Sequence, residues 1–411
     1  VPEPFAVRDH RATHVVIEVL AGDNSLSDYA LEDLQEMYAG LTGPLSVLAL
    51  VDYRNRGASV LELSARTGAV LLEEWGEINT GDPATLVRFL GRALVSHPRV
   101  RHRAIGFWDH GSGVFNEVDP SARAAVRGSV FWPRSRPGPA RRMFNPRGCA
   151  RARERAGRTY ATTRAMLDDD TNLGLLTTHE AGLVLRDALA AAGMERVDMI
   201  FSDTCLNGMV EVLTELAPYA DVVVGSEDLE PGDGWEYEPF LYECSRRPPS
   251  SGEEWARLAV DMFGRVYRVR PTVHPVTLAA FRTGAAVVDR FADLVARLAS
   301  APGTAWDAIQ LARSRTQSFA RRDSYDMARF LESLGAARAD LVRDCAAVLG
   351  ALNDARVHEV HLGRTVDAAR GLALWVPSNP RDVTTLGWTY RDLRFATRTG
   401  WLSLLETASR S

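Results

Sequence analysis

The chain has 411 residues, of which 48 are basic and 53 acidic, so its formal net charge is -5. This length suits one large domain or two ordinary ones with a sizeable core, and the acidic balance excludes a generally basic nucleic-acid coat. No apolar run reaches the roughly 18 residues of a membrane-spanning helix, so no membrane span is expected. The first residues carry no signal-peptide pattern, which leaves the compartment open between a bacterial cytoplasm and secretion.

Apolar runs and helical periodicities alternate through the first 245 residues. This alternation predicts an α/β fold with a mostly parallel sheet that helices cover on both faces. Strands are predicted at 14–20, 45–53, 60–64, 69–75, 103–108, 197–201 and 221–226, with helices at 26–38, 83–96, 178–192 and 209–216.

A long connection interrupts this alternation at residues 116–170. It contains few periodic apolar positions and ten arginines between Arg134 and Arg164. Connections of this length without clear elements are usually functional or disordered.

From about residue 246 the pattern changes to amphipathic helices. They are predicted at 253–269, 285–298, 305–319 and 336–352, with short strands at 277–282 and 371–377. We therefore predict an α/β domain over residues 1–245 and a mainly helical C-terminal subdomain over residues 246–411, whose strand at 371–377 returns to the core.

Four cysteines are present, and none lies in a C-x-x-C pair. A structural zinc site and a disulfide framework are therefore not predicted. Cys244 and Cys345 are expected to be buried as small apolar residues. Cys205 differs, because it follows Asp203-Thr204 at the end of a predicted strand.

The predicted strand at 103–108 also ends in a reactive residue, His110. Because parallel strands meet at one carboxyl edge, His110 and Cys205 are expected to lie close together. An imidazole beside a thiol generates a thiolate nucleophile. A thiolate attack on a carbonyl needs backbone N–H donors for the oxyanion, and Gly111 and Cys205 are the candidates.

Three sequence motifs resemble those of the clostripain family of cysteine peptidases. Residues 107–113 (FWDHGSG) resemble its histidine motif, and residues 203–212 (DTCLNGMVEV) resemble its cysteine motif. Residues 226–235 (SEDLEPGDGW) resemble its S-E-x-x-x-P-G-x-G-W loop. Weaker similarity lies at residues 22–26, 75–83 and 371–378.

The resemblance implies a caspase-like fold for the catalytic domain and a His110–Cys205 dyad. It also implies cleavage after arginine, with lysine left open, and an acidic S1 pocket lined by Asp203 and Asp233. A buried guanidinium requires a carboxylate partner, which agrees with that pocket. Asp203 as a helix N-cap and Asp233 as a turn residue stay open as alternatives.

Two further roles follow less directly from the sequence. Asp23 or Asn24 is a candidate for orienting the histidine, although residues of this type at strand ends are mostly turn formers. Some family members depend on calcium, so calcium is left open while no cofactor is required. The run Asp168-Asp169-Asp170 could supply oxygen ligands, but we interpret it as a solvated acidic run and predict no metal site.

Self-cleavage in the arginine-rich connection would convert a zymogen into two associated chains. The resemblance implies such processing between the histidine and cysteine segments, and an uncut basic loop is the alternative. The candidate sites are Arg147, Arg151, Arg153, Arg155 and Arg158.

The sequence therefore predicts a monomeric cysteine endopeptidase acting on a protein or peptide with arginine at P1, without nucleic-acid or membrane partners. The alternative is a regulatory or signalling caspase-like module that acts on one specific partner protein. A nucleotide-binding protein is disfavoured, because no G-x-G-x-x-G or P-loop pattern occurs.

Overall fold

The computed structural model describes residues 1–54, 56–115, 166–172, 174–269, 275–321 and 323–410. The strands are β1 (His14–Gly22), β2 (Leu45–Tyr53), β3 (Gly57–Ser64), β4 (Gly68–Gly76), β5 (His102–Trp108), β6 (Leu167–Asp169), β7 (Gly174–Leu176), β8 (Val197–Asp203), β9 (Ala220–Gly225), β10 (Val276–Arg282), β11 (Ser324–Asp326), β12 (Arg356–Leu362) and β13 (Ala373–Trp375).

The α-helices in the same ranges cover both faces of the sheet and most of the C-terminal half. They are α1 (Ser27–Gly40), α2 (Pro83–Ser96), α3 (Thr178–Ala192), α4 (Val210–Leu216), α5 (Tyr237–Arg246), α6 (Gly252–Val269), α7 (Val287–Ala299), α8 (Pro302–Ser314), α9 (Met327–Ala337), α10 (Val342–Ala355), α11 (Pro380–Tyr390), α12 (Arg394–Thr399) and α13 (Trp401–Ala408). None of these described helices is both long and apolar enough to cross a membrane.

A nine-stranded sheet organises the molecule, in the order β12-β10-β9-β8-β5-β1-β2-β3-β4. Its five central strands, β9, β8, β5, β1 and β2, run parallel, whereas the strands at both edges are antiparallel. This mostly parallel sheet between helices confirms the predicted fold class.

Side-chain alternation along β1 divides the core between the two faces of the sheet. Ile17 and Val19 lie in a cluster with residues of α2, α3 and α4, whereas Val16 and Leu20 lie in a cluster with α1, α5 and α6. Because successive residues of a strand point to opposite faces, a central strand must be apolar at nearly every position.

Local signals in the sequence set the ends of two of these helices. Asp82 accepts a hydrogen bond from the Ala84 amide at the start of α2, with Pro83 in the first turn. Thr177 and Glu180 form a reciprocal capping box at the start of α3, which ends at Gly193 in the left-handed region. Capping of this kind satisfies backbone amides that have no partner within the helix.

The C-terminal part of the chain is less purely helical than the sequence predicts. β10 joins β9, and β12 joins β10, so this part extends the main sheet. The predicted strand at 371–377 appears as β13, which pairs with β11 and bridges Met209 through Ala373. β12 was not predicted from the sequence, because polar residues such as His358 and His361 interrupt its apolar character.

Candidate active site

The paired strands β5 and β8 bring the histidine and cysteine segments to the same sheet edge. Trp108 is in register with Asp203, and the Asp109 amide donates to the Asp203 carbonyl at 3.3 Å. His110 therefore lies two residues after Trp108, and Cys205 lies two residues after its register partner Asp203. Both are partly exposed, so neither is enclosed in the core.

Gly111 brings the two backbones into close contact. A Cβ atom at this position would lie 2.1 Å from the Cys205 carbonyl oxygen and 2.9 Å from the Cys205 nitrogen. No side chain fits such a gap, so the residue after the histidine must be glycine. The backbone amides of Gly111 and Cys205 consequently lie in the same small region.

A strained turn presents Cys205 at the end of β8. Leu206 has a φ of 64°, and among the described residues it is the only non-glycine with a positive φ. Such a conformation costs roughly 1–3 kcal/mol and is typical of functional sites. Two hydrogen bonds to the neighbouring loop hold the turn, from Leu206 N to Asp228 O at 3.1 Å and from Gly208 N to Ser226 O at 2.7 Å.

The turn after β1 lies beside His110. Ser25 Oγ is 2.8 Å from His110 Nε2, within hydrogen-bond distance. Asn24 donates from Nδ2 to the Asp109 carboxylate at 2.7 Å, and its Oδ1 accepts from the Leu26 amide at 2.8 Å. Asp23 and Asn24 were predicted from the sequence as orienting candidates, whereas Ser25, whose hydroxyl lies within hydrogen-bond distance of the ring, was not.

Asp203 and Glu230 form a buried carboxyl pair beside the cysteine. Both side chains are less than 8% exposed, and the Glu230 amide donates to Cys205 Sγ at 3.3 Å. Burial raises the pKa of both residues, and the charge of Asp203 raises the pKa of Glu230 further. A carboxyl pair of this kind shares a proton until a cation replaces it.

The contacts of Asp203 argue against its alternative role as a helix N-cap. Its Oδ2 accepts from the Trp235 amide at 3.1 Å, whereas helix α4 begins after Met209. Glu230 lies at an unspecified position of the family loop motif, so no sequence signal pointed to it. Only the path of the loop brings it to Asp203.

Two more buried carboxyls lie in the same region, on β1 and α1. Glu18 is fully buried, and Asp33 accepts a hydrogen bond from Trp108 Nε1 at 2.6 Å. Burial, followed by the charge of Asp203, raises the pKa of each well above its ordinary range. Within the described ranges, no arginine or histidine forms an ion pair with Glu18, Asp33, Asp203 or Glu230.

Asp233, the second carboxylate predicted for the S1 pocket, is exposed on the loop after β9. It lies inside a turn in which the Gly234 amide donates to the Pro231 carbonyl at 2.9 Å. Its charge reaches α1, where it adds to burial in raising the pKa of Tyr29. This geometry is compatible with both the pocket role and the turn role.

The acidic run at residues 168–170 is not uniformly solvated, which corrects our interpretation of it. Asp169 is 2% exposed and accepts hydrogen bonds from the amides of Thr80 and Asn172. Asp170 is exposed and forms an ion pair with Arg54 at 3.8 Å, and the side chain of Asp168 lies outside the described part. Asp169 is buried because β6 packs against β1, and the Asp170 amide donates to the carbonyl of Asp23 in the turn after β1 at 2.9 Å.

The proposed self-cleavage sites lie outside the described residues, as does Cys149. Phe115 and Met166, which flank residues 116–165, are both buried. Cys244 and Cys345 are buried and form no disulfide, as expected.

The comparisons with known proteins agree with this geometry. The sequence model of the clostripain family matches residues 19–127 and 153–406. No curated protein matches the sequence.

Two solved proteases have a similar fold. One is a secreted C11 cysteine protease from Bacteroides thetaiotaomicron in complex with an irreversible peptide inhibitor. It is 15% identical with a TM-score of 0.67, over 95% of this chain and 99% of that one. The other is an inactive zymogen C11 protease from Parabacteroides distasonis. It is 16% identical with a TM-score of 0.64, over 96% of this chain and 99% of that one. The chain therefore belongs to the clostripain family and is a cysteine protease.

Proposed function

We propose that the protein is an endopeptidase that cleaves after arginine, with Cys205 as nucleophile and His110 as its base. The observation that supports the dyad is the register of β5 and β8, which pairs Trp108 with Asp203 and so places His110 and Cys205 at equivalent positions past the two strand ends. His110 takes the thiol proton, the thiolate attacks the scissile carbonyl, and the imidazolium protonates the leaving amine. Water then hydrolyses the acyl-enzyme.

The backbone amides of Gly111 and Cys205 are the proposed donors to the tetrahedral oxyanion. Their close approach at the Gly111 contact supports this role. A donor of this kind contributes about 10²–10³ in kcat.

The carboxyl pair Asp203–Glu230 is the proposed recognition site for the P1 guanidinium. It is buried next to Cys205 and has no ion-pair partner in the described part of the chain, so an arriving arginine would compensate its charge. A planar guanidinium presents two parallel N–H donors in a fixed fork that matches the two oxygens of a carboxylate, a geometry that an ammonium does not have. Arginine is therefore expected to exceed lysine as substrate, and the exposed Asp233 contributes less.

Self-cleavage among Arg147, Arg151, Arg153, Arg155 and Arg158 is the proposed activation step. An enzyme specific for arginine would find ten such residues between Arg134 and Arg164, all between its histidine and its cysteine. One structural relative is described as an inactive zymogen, which agrees with activation by processing.

A peptide panel tests the specificity. Otherwise identical fluorogenic peptides would carry arginine, citrulline, lysine or aspartate at P1, citrulline being the neutral analogue of arginine. We expect the arginine peptide to be hydrolysed at least 100-fold faster than the citrulline peptide. Asp203→Asn should lower this ratio of arginine to citrulline hydrolysis rates to near 1, whereas Asp233→Asn should change it only a few-fold.

Intact mass spectrometry of wild type and Cys205→Ala tests the processing. We expect wild type to yield two fragments cut after an arginine between residues 116 and 165, and the variant to stay whole. Equal rates for the arginine and citrulline peptides would refute the pocket, and an uncut active wild type would refute the processing.

A further inference from the structure

Two buried carboxyl groups, Glu227 and Asp326, form a second acidic pair, which the proposed chemistry does not use. Glu227 lies just after β9 and is 1% exposed, and Asp326 ends β11 and is 0% exposed. Glu227 Oε2 accepts from the Gly371 amide at 2.9 Å. Asp326 accepts from the amide of Arg329 at 2.7 Å through Oδ1 and from the amide of Arg370 at 2.6 Å through Oδ2.

The pair shares one proton. Ionised carboxylates only accept hydrogen bonds, so a bond between Glu227 and Asp326 requires a proton on one of them. Both oxygens of Asp326 already accept from amides, whereas Glu227 Oε1 has no partner among the described residues. Burial, followed by the charge of Asp326 and a hydrogen bond to it, raises the pKa of Glu227 well above its ordinary range, and the charge of Glu359 adds to this. Because the charge of Arg370 favours an ionised Asp326, the proton resides on Glu227.

This pair belongs to a closed ring of hydrogen bonds around residues 205–208, the cysteine turn. The Gly208 amide donates to the Ser226 carbonyl at 2.7 Å, and the Gly208 carbonyl accepts from the first amide of β13 at 2.8 Å. Glu227 follows Ser226 and accepts from the Gly371 amide, two residues before β13. The Glu227 carboxyl group thus closes the ring between the loop after β9 and the segment that enters β13.

Hydrogen bonds, more than side-chain packing, hold the cysteine turn against that segment. Both line a small cavity, which includes Asn207, Gly208, Met209, Gly371 and Leu372 among its lining residues. Leu206 in the turn has a φ of 64°, so a released turn would relax to a more favourable backbone conformation. A displacement of about 1 Å at the reacting atoms can lower a rate by about 10²-fold.

We propose that Glu227 is a positioning residue for Cys205, a role that rests on the proposed function of Cys205 as nucleophile. As a protonated acid, Glu227 accepts from Gly371 and donates to Asp326, and the ring around the cysteine turn stays closed. Loss of the proton at alkaline pH leaves two buried like charges side by side, which repel each other. The ring then opens, and the thiol loses its position relative to His110.

Two substitutions separate the hydrogen bond from the charge. Glu227→Ala removes the acceptor and should lower kcat for the arginine peptide at least 30-fold at pH 7, with KM changed less than threefold. Glu227→Gln keeps an acceptor oxygen, donates through its amide and cannot ionise, so kcat at pH 7 should stay within threefold of wild type. Between pH 7 and pH 10, kcat should fall at least fivefold in wild type and less than twofold in Glu227→Gln.

Glu62→Ala is the matched control for a merely structural role. Glu62 is also buried and accepts from two backbone amides, those of Arg8 at 2.6 Å and Asp9 at 3.0 Å. It lies on β3, four strands away from β8 in the sheet. We expect Glu62→Ala to lower the melting temperature about as much as Glu227→Ala does, while kcat stays within twofold of wild type.

Alkylation of Cys205 by iodoacetamide, followed by peptide mass spectrometry, reports on the thiol without any substrate. At pH 6.5 we expect the rate to be at least tenfold lower in Glu227→Ala and within twofold of wild type in Glu227→Gln, because His110 favours the thiolate only while the turn holds the thiol beside it. If Glu227→Ala does not fold, the pH profile and the alkylation rate of Glu227→Gln carry the test.

Equal losses of kcat in Glu227→Ala and Glu62→Ala would overturn the proposal. The same kcat profile from pH 7 to pH 10 in wild type and Glu227→Gln, or an unchanged alkylation rate in Glu227→Ala, would also overturn it. A wild type that hydrolyses no arginine peptide would refute the proposed function, and the alkylation rates would still decide the role of Glu227.

Discussion

Replacing Glu211 with glutamine should make the protein more stable at high pH. Glu211 lies on α4, six residues after Cys205, and is fully buried. Its Oε1 accepts from the Trp375 amide at 2.9 Å and from the Tyr390 hydroxyl at 2.8 Å, while Oε2 has no partner among the described residues. Glu211 thus connects helix α4 to β13 and α11 through hydrogen bonds.

The magnitude follows from the pKa of Glu211. Burial raises it from the ordinary 4.5 to about 7, against the lowering effect of the two hydrogen bonds. The unfolded chain therefore loses this proton before the folded chain does. The contribution of Glu211 to the free energy of unfolding is therefore fully present below pH 4.5. It is lost as the pH rises through about 7, by roughly 3 kcal/mol in total.

Glutamine keeps the acceptor oxygen and cannot ionise, so it removes this pH-dependent loss. At pH 5 the variant should melt within about 2 °C of the parent. At pH 8 it should melt about 4 °C higher, because a chain of this size unfolds with an entropy of roughly 0.9 kcal/mol/K near its midpoint.

The assay is calorimetric melting at pH 5, 6, 7 and 8, in the Cys205→Ala background so that no chain is cut. Glu74→Gln, on the exposed face of β4, is the control and should show the same difference from the parent at every pH. A difference between Glu211→Gln and the parent that stays constant from pH 5 to pH 8 would refute the reasoning.

Two further substitutions test the geometry of the site. Gly111→Ala places a Cβ 2.1 Å from the Cys205 carbonyl oxygen and should lower kcat/KM at least 100-fold while the circular dichroism spectrum is unchanged. Near-normal activity would show that this close contact is dispensable. Thr277→Val removes the oxygen that accepts from the buried amides of Glu227 at 3.0 Å and Asp228 at 3.2 Å. It should destabilise the protein by roughly 2–4 kcal/mol, measured by denaturant unfolding, and an effect below about 1 kcal/mol would contradict the assigned hydrogen bonds.

The sequence by itself determined the central sheet and the strand ends that carry His110 and Cys205. Both depend on local signals: apolar runs, turn residues and caps make each element, and parallel strands in alternation with helices have few arrangements. The motif order allowed the family to be identified before any contact was known.

Only the tertiary structure decided which acidic side chains are buried together. Glu230 approaches Asp203 through a loop, and Asp52 approaches Asp23 across two parallel strands. Asp169, in a run that resembles a solvated surface, is buried because β6 packs against β1. The cost of burying a carboxylate depends on its neighbours in space, which the order of residues along the chain does not reveal.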